Sequence, residues 1–267
     1  MAVRGSAPAK LNLYLHVLGR RADGYHLLDS LVAFADVGDE VSARPAAALS
    51  LAVEGPFAPA LARETMESNL VWRAATALAE RAGRTPGVAL TLRKNLPIAS
   101  GIGGGSSDAA ATLSALAELW SLDLAEPRFA GLAASLGADV PVCLYGRTAW
   151  LGGIGEALAP APALPPAAVV LANPRVALAT PAVFRARRGP FSAAARFAAS
   201  PSDARALAGL LAARRNDLTE AAISLAPDIA EVLTALRSLE GALMARMCGS
   251  GATCFAREHT AFVVVAG

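Results

Sequence analysis

Between Leu96 and Leu116 the chain reads LPIASGIGGGSSDAAATLSAL, and this segment restricts the fold more than any other. Gly101, Gly103, Gly104 and Gly105 remove four Cβ atoms within five positions, so the backbone can take positive φ and come close to a ligand. Ser106, Ser107 and Asp108 then open a run of helical period. A glycine loop leading into a helix start presents a row of N–H groups at a positive helix end, which suits phosphate oxygens. The segment is not a Walker A loop, because the Gly-Lys-Ser/Thr ending is absent, and Ser106 breaks the G-x-G-x-x-G fingerprint at its sixth position. A flexible hinge with a Ser or Asp cap is the alternative reading.

The rest of the chain has α+β character. Over residues 10–18, Leu11, Leu13, Leu15 and Val17 alternate with Lys10, Asn12, Tyr14 and His16, which predicts a strand with an apolar side on the core and a polar side on a cleft. Strands are also expected over 27–34 and 48–53, with turns at Asp23-Gly24 and Val37-Gly38-Asp39, giving an antiparallel sheet covered on one face. From Ser68 the period lengthens, and Leu70, Ala74, Ala77 and Leu78 share a helical face that Gly83 closes. A short strand over 87–93, helices over 106–120 and 126–136, and strands over 140–145 and 148–151 follow. The Ala-Pro stretch from residue 157 reads as a linker, and 168–172 as a buried strand. Ala-rich helices extend to about residue 239, one starting at Asn216-Asp217-Leu218 and one carrying Pro227 in its first turn. Strand character returns over 242–246 and 253–256. Two α+β domains, 1–157 and 158–267, are expected.

Composition narrows the function. A net charge of +2 over 267 residues leaves no basic footprint for nucleic acid, so an anionic ligand has to be small and locally held. Apolar residues make up 54% of the chain, yet the least polar run, 157–172, carries Pro160, Pro162, Pro165 and Pro166, which excludes a spanning helix there. The alternating start, interrupted by Arg4 and Lys10, does not resemble a signal peptide. Cys143, Cys248 and Cys254 match neither a disulfide framework nor a zinc site, and the three histidines have no ligand spacing, so a reducing, cytoplasmic setting is expected. Among 24 basic residues only Lys10 and Lys94 are lysines.

LPIASGIGGGSSDAAA resembles the P-x-x-x-G-x-G-x-S-S motif of the GHMP kinases, the superfamily of galactokinase, homoserine kinase and mevalonate kinase. APAKLNLYLHVLGRRADGYHLLDS near the start and MCGSGATCFA near the end agree with it in order and spacing. Pro8-Ala9-Lys10-Leu11-Asn12-Leu13 followed by Gly19-Arg20-Arg21-Ala22-Asp23-Gly24-Tyr25-His26 is similar to the branch that phosphorylates a cytidine-diphosphate-linked polyol. The resemblance spans residues 4–256. It implies an N-terminal mixed sheet with helices, of the ribosomal S5 domain 2-like type, and a C-terminal ferredoxin-like α/β sandwich. It also implies ATP with Mg2+, the metal ligands being unassigned, and a monomer or homodimer with no nucleic-acid or membrane partner.

Phosphoryl transfer needs the γ-phosphate held in line, its charge neutralised, and an acceptor for the hydroxyl proton. The expected ATP loop comprises Pro97, Ile98, Ala99, Ser100, Gly101, Ile102, Gly103, Gly104, Gly105, Ser106 and Ser107. Asp139, in LGADVPVCLYG, is by itself either a turn residue or a group aimed into a cleft. The resemblance makes it the catalytic aspartate, with Lys10 as its electrostatic partner. Tyr25 and His26 are implied to hold the cytosine ring, with Asn12 bonding the base edge. Asn69, Leu70 and Val71 are read either as part of an adenine pocket or as helix cap and core. Lys94 either approaches the nucleotide or ends a solvated strand. Cys248-Gly249-Ser250-Gly251 resembles a third family motif that supports the phosphate loop.

Within the loop Ala99-Ser100 stands where Gly or Ala-Gly is frequent, and Ile102 replaces leucine, but the glycines remain. Thirteen residues follow Cys254, too few for the family's further helix and closing strand at about 10–12 and 5–6 residues each. The C-terminal domain is therefore expected to be shortened at its end, with an exposed sheet face. Two alternatives remain. A homoserine- or mevalonate-type kinase needs no cytosine clamp, and a catalytically inactive nucleotide-binding scaffold would have lost Lys10 or Asp139, both of which are present.

Overall fold

The computed structural model describes residues 2–62, 65–258 and 265–266. In chain order these form β1 (Val3–Arg20), β2 (His26–Pro45), β3 (Ser50–Glu54), α1 (Ala58–Leu61), α2 (Leu70–Arg81), β4 (Val88–Arg93), α3 (Gly104–Trp120), α4 (Leu132–Leu136) and α5 (Val140–Tyr145). There follow β5 (Ala149–Gly152), β6 (Ala157–Pro160), β7 (Ala168–Ala172), α6 (Thr180–Ala186), α7 (Ala204–Ala212), α8 (Thr219–Leu225), α9 (Asp228–Arg237), β8 (Met244–Met247), β9 (Cys254–Glu258) and β10 (Val265–Ala266). These elements group into two units that are not contiguous in sequence. The first holds residues 1–9, 37–98 and 103–146, and the second 10–36, 99–102 and 147–267. The expected boundary at 157/158 lies within the second unit.

In the first unit the end of β2 pairs antiparallel with β4, from Glu40↔Arg93 to Pro45↔Val88, and β3 runs parallel to β4. Strand periodicity turns Val88, Leu90 and Leu92 into the core and leaves Arg93 exposed. Helix α2 buries Val71, Ala74, Ala75, Leu78 and Ala79, and packs against α3. Helix α3 is buried nearly all round, and its alanines permit close packing against both α2 and α5.

In the second unit β1 pairs with β2, whose first half pairs antiparallel with β5, and β5 with β6. A separate sheet has the order β10-β7-β9-β8, with α9 packed on it. Its core includes Leu178, Val183, Leu218, Ile229, Leu233, Met247 and Cys254. Strand β10 runs parallel to β7, whereas β9 runs antiparallel to it. Only six residues separate β9 from β10. The residues of the expected final strand that lie within 259–264 are outside the described residues.

Several expectations are corrected. Residues 140–145 form a helix and not a strand: Pro141 sits in its first turn, Gly146 closes it at φ 66°, and a short apolar run fits either element until a neighbour is present. Val37-Gly38-Asp39 is no turn but the interior of β2. A Cβ at Gly38 would lie 2.4 Å from the Ala7 carbonyl oxygen, so this glycine serves a close backbone approach. Over 126–136 a single helix is replaced by a 3-10 turn, Pro127–Phe129, and the short α4. The expected linker supplies β6, and within that stretch residues 161–167 lack helix or strand. The first sheet is not covered on one face only. From Ala9 to Val17 every side chain of β1 is buried, including Lys10, Asn12 and His16.

Candidate active site

The glycine loop owes its shape to positive φ at Ala99 (50°), Gly101 (77°) and Gly103 (66°), after which α3 begins at Gly104. Gly103 provides no side-chain cap, so the first-turn N–H groups of α3 meet no capping side chain of their own. Along the loop Ala99 and Gly105 are exposed, while Ser100, Ile102 and Ser107 are buried and the remaining residues half-buried. Ser107 donates its hydroxyl to the Pro8 carbonyl at 2.8 Å, which ties α3 to the start of β1.

Within the second unit the loop tip, residues 99–102, rests on the glycine turn of the third motif. A Cβ on Gly101 would lie 2.5 Å from the Gly251 carbonyl oxygen and 2.7 Å from that of Cys248. The Thr253 N–H donates to Ser100 O at 3.0 Å, and the Lys10 N–H to Ile102 O at 2.9 Å. Lys10 and the loop tip are thus held by one backbone bond, and the Lys10 side chain is 3% exposed. The Asn12 amide donates to Ser30 Oγ at 2.9 Å, so its NH2 group is engaged within the protein.

Tyr25, after the Asp23-Gly24 turn, is 60% exposed. His26 stacks on Phe184 of α6, with ring centroids 5.0 Å apart and planes at 25°. Burial lowers the His26 pKa, and the Arg20 and Arg187 guanidinium groups lower it further, so the neutral ring is favoured at pH 7. Phe184 was not singled out by sequence, because a lone aromatic in an Ala-rich helix carries no signal before its neighbour is known.

In the first unit Asp139 occupies the position before α5, and its side chain does not cap that helix. Asn69 caps α2, accepting from the Val71 N–H at 2.9 Å, and Val71 is fully buried. Leu70 lies against the first turn of α3, its Cδ1 being 3.3 Å from where a Gly105 Cβ would stand.

Lys94 is not a solvated strand end. It is 3% exposed, and its ammonium donates to Asp39 Oδ2 at 2.5 Å and Asp108 Oδ2 at 2.8 Å. By sequence Asp39 belongs to a turn and Asp108 to the opening of a helix. The scarcity of lysine was the one signal pointing here. A second group of buried side chains centres on Asp29 in the second unit, which accepts from Tyr14 Oη at 2.7 Å, Ala195 N at 2.8 Å and Arg196 Nε at 2.8 Å. Burial opposes the Asp29 charge, but these donors outweigh it and hold the carboxyl below its ordinary pKa.

Among the described residues no group of three or more His, Cys, Asp or Glu could hold a metal ion, and no helix is long and apolar enough to cross a membrane.

Comparison with known proteins places these features in a family. The GHMP kinase N-terminal domain matches residues 69–147, and the GHMP kinase C-terminal domain matches 194–257. A protein of Paramagnetospirillum magneticum named 4-diphosphocytidyl-2-C-methyl-D-erythritol kinase is 55% identical over 249 residues, 93% of this chain and 86% of its own. One of the same name from Rhodospirillum rubrum is 56% identical over 94% of this chain and 82% of its own. A crystal structure of 4-(cytidine 5'-diphospho)-2C-methyl-D-erythritol kinase superposes with a TM-score of 0.75 at 37% identity, covering 95% of this chain and 89% of that one. Homoserine kinase from Cytophaga hutchinsonii shares the fold at a TM-score of 0.65 and 19% identity. A glycine loop opening α3, the glycine turn that backs it and matches over both family domains lead to one conclusion: this chain belongs to the GHMP kinases.

Proposed function

We propose that this protein transfers the γ-phosphoryl group of ATP to the 2-hydroxyl of 4-diphosphocytidyl-2-C-methyl-D-erythritol, a step of the non-mevalonate route to isoprenoids. The observation that carries the reading is the Gly101 tip seated on the Gly249–Gly251 turn, in a chain more than half identical to proteins bearing that kinase name. The hydroxyl oxygen forms a bond to the γ-phosphorus, the bond from that phosphorus to the β–γ bridging oxygen breaks, and ADP leaves with the electron pair. Asp139 accepts the hydroxyl proton, and Lys10 stabilises negative charge on the transferred group. Backbone N–H groups from residues 98–106 cradle the phosphates, while Asn69, Leu70 and Val71 belong to the adenine side. Tyr25, His26 and Phe184 offer flat faces to the cytosine ring, supported by the stacked His26–Phe184 pair and the exposure of Tyr25.

Mg2+ would enter with ATP, because Mg2+ commonly binds through substrate phosphates and few protein groups. It supplies charge neutralisation at the transferred group. The division into an ATP-handling part, 1–157, and a C-terminal part, 158–267, belongs to the same proposal. So does a cytoplasmic enzyme acting as monomer or homodimer.

The test is a coupled ADP-release assay on 4-diphosphocytidyl-2-C-methyl-D-erythritol, homoserine and mevalonate. Turnover confined to the first is expected. Activity only on either of the others overturns the substrate, and silence on all three points to a scaffold. Asp139→Ala should lose at least about 10²-fold in kcat with ATP affinity kept, as for a lost proton-transfer group. Unchanged kcat removes Asp139 from the role of base.

A further inference from the structure

The Asp39–Lys94–Asp108 group brackets the phosphate loop in sequence, and all three residues lie in the first unit. Before the loop, Asp39 Oδ1 accepts from the N–H groups of Asn95 at 2.6 Å and Leu96 at 2.7 Å. Asn95 Nδ2 in turn donates to Gly38 O at 3.0 Å. This carboxylate therefore holds the backbone that leads into Pro97. After the loop, Asp108 lies in the second turn of α3, and its Oδ2 accepts from Lys94. The Lys94 ammonium sits 3.1 Å from where a Gly104 Cβ would project, so a side chain at the first residue of α3 would press on it. One cation thus links the segment before the loop to the helix after it.

The charge of this group is unbalanced. Two carboxylates share a single ammonium, and Asp108 Oδ1 is buried with no hydrogen-bond partner among the described residues. Lys94 and Asp39 are the charged groups that act on Asp108, and no charged residue of α2, α4 or α5 is among them. Burial, reinforced by the Asp39 charge against the pull of Lys94, raises the Asp108 pKa to about 7. With Asp108 ionised the three side chains carry a net −1 beside the helix end that is to receive phosphate. With it protonated they are neutral.

We propose that Asp108 is a positioning residue for the phosphate loop: with Asp39 it holds Lys94 against Gly104, fixes the start and end of the loop to each other, and makes ATP binding depend on its own protonation. The inference rests on the reading of the loop as an ATP site. An anion arriving at α3 favours the protonated form of Asp108, so binding takes up a proton where Asp108 is otherwise ionised. Asn at this position keeps an oxygen for Lys94 without the charge, whereas Ala removes the acceptor.

The experiment is calorimetric titration of the full chain with Mg2+ and a non-hydrolysable ATP analogue between pH 6 and pH 9, on wild type, D108N and D108A. Wild-type affinity is expected to fall across pH 7, approaching tenfold per pH unit at its steepest for one linked proton. D108N should bind with a flat profile near the wild-type value at pH 6, and D108A about 10-fold more weakly at that pH. Should D108A not fold, the D108N profile decides alone. A wild-type pH dependence that persists in D108N, or D108A binding as tightly as wild type, overturns the inference while leaving the ATP site intact. A wild type that binds no analogue at any pH overturns the ATP reading itself and this inference with it.

Discussion

Asp29 and Asp108 are both nearly inaccessible carboxylates, and their surroundings drive them in opposite directions. Asp29 receives a phenol, a backbone N–H and an arginine, so both of its oxygens are used. Asp108 receives one ammonium that it shares with Asp39, and one of its oxygens has no described partner. Burial acts against the charge in both cases and is the first cause of shift in both. The number of donors decides the sign. Asp29 is a settled anion that holds the irregular segment around Ala195 and Arg196, together with His16, which bonds Ala193 O through Nδ1 at 2.9 Å. Asp108 is left close to neutrality in its protonation equilibrium, the property that a coupling residue needs.

The largest expected effect comes from removing the shared cation. Lys94→Met removes the one ammonium that two buried carboxylates share and should cost about 3–5 kcal/mol of unfolding free energy in urea titration. A loss below about 1 kcal/mol, the scale of an exposed ion pair, would erase the distinction between the two groups.

The pH dependence of stability sharpens the contrast. The folded Asp108 pKa, about 7, lies above the unfolded value of 3.8, so its contribution to stability is lost as pH rises from about 4 through 7. D108N should therefore gain on wild type across that interval and level off above it. Asp29 is shifted below 3.8, so its contribution is present above that value and disappears as pH falls through the folded pKa. D29N should be less stable than wild type at neutral pH and converge on it in acid. Denaturant titrations at a series of pH values check both, and parallel curves for the two variants would contradict the assignment.

The smallest effect belongs to Arg196. Its side chain is 41% exposed, so water screens its pairing with Asp29, and the Tyr14 and Ala195 donors remain when it is removed. Arg196→Ala should cost no more than about 1 kcal/mol. A cost close to that of Lys94→Met would mean that Asp29 depends on its cation as Asp108 does.

Much of the candidate site is legible in the sequence. The glycine run, the serines after it and the Lys10, Tyr25 and Asp139 segments carry backbone and side-chain requirements that few alternative residues meet. The Asp23-Gly24 turn and the start of α2 at Asn69 were also readable, because caps and turns use local bonds. Val140–Tyr145 was not, since an apolar stretch of six residues states burial without stating period. Gly38 was mistaken for a turn because sequence shows a missing Cβ but not the Ala7 carbonyl that requires it to be missing.

By itself, then, the sequence determined a glycine-rich loop at a helix start, the Asp23-Gly24 turn and a kinase family. All of these are written in contiguous segments, where local sterics and hydrogen-bonding demands act between near neighbours. Only the tertiary structure decided that Lys94 is an interior cation with two carboxylates, that Asp29 is fully satisfied, and that Phe184 faces His26. Partners 14 and 55 residues from Lys94, or 166 from Asp29, leave no periodic trace in the chain. Desolvation and charge pairing acquire their magnitudes only after folding has excluded water from around them.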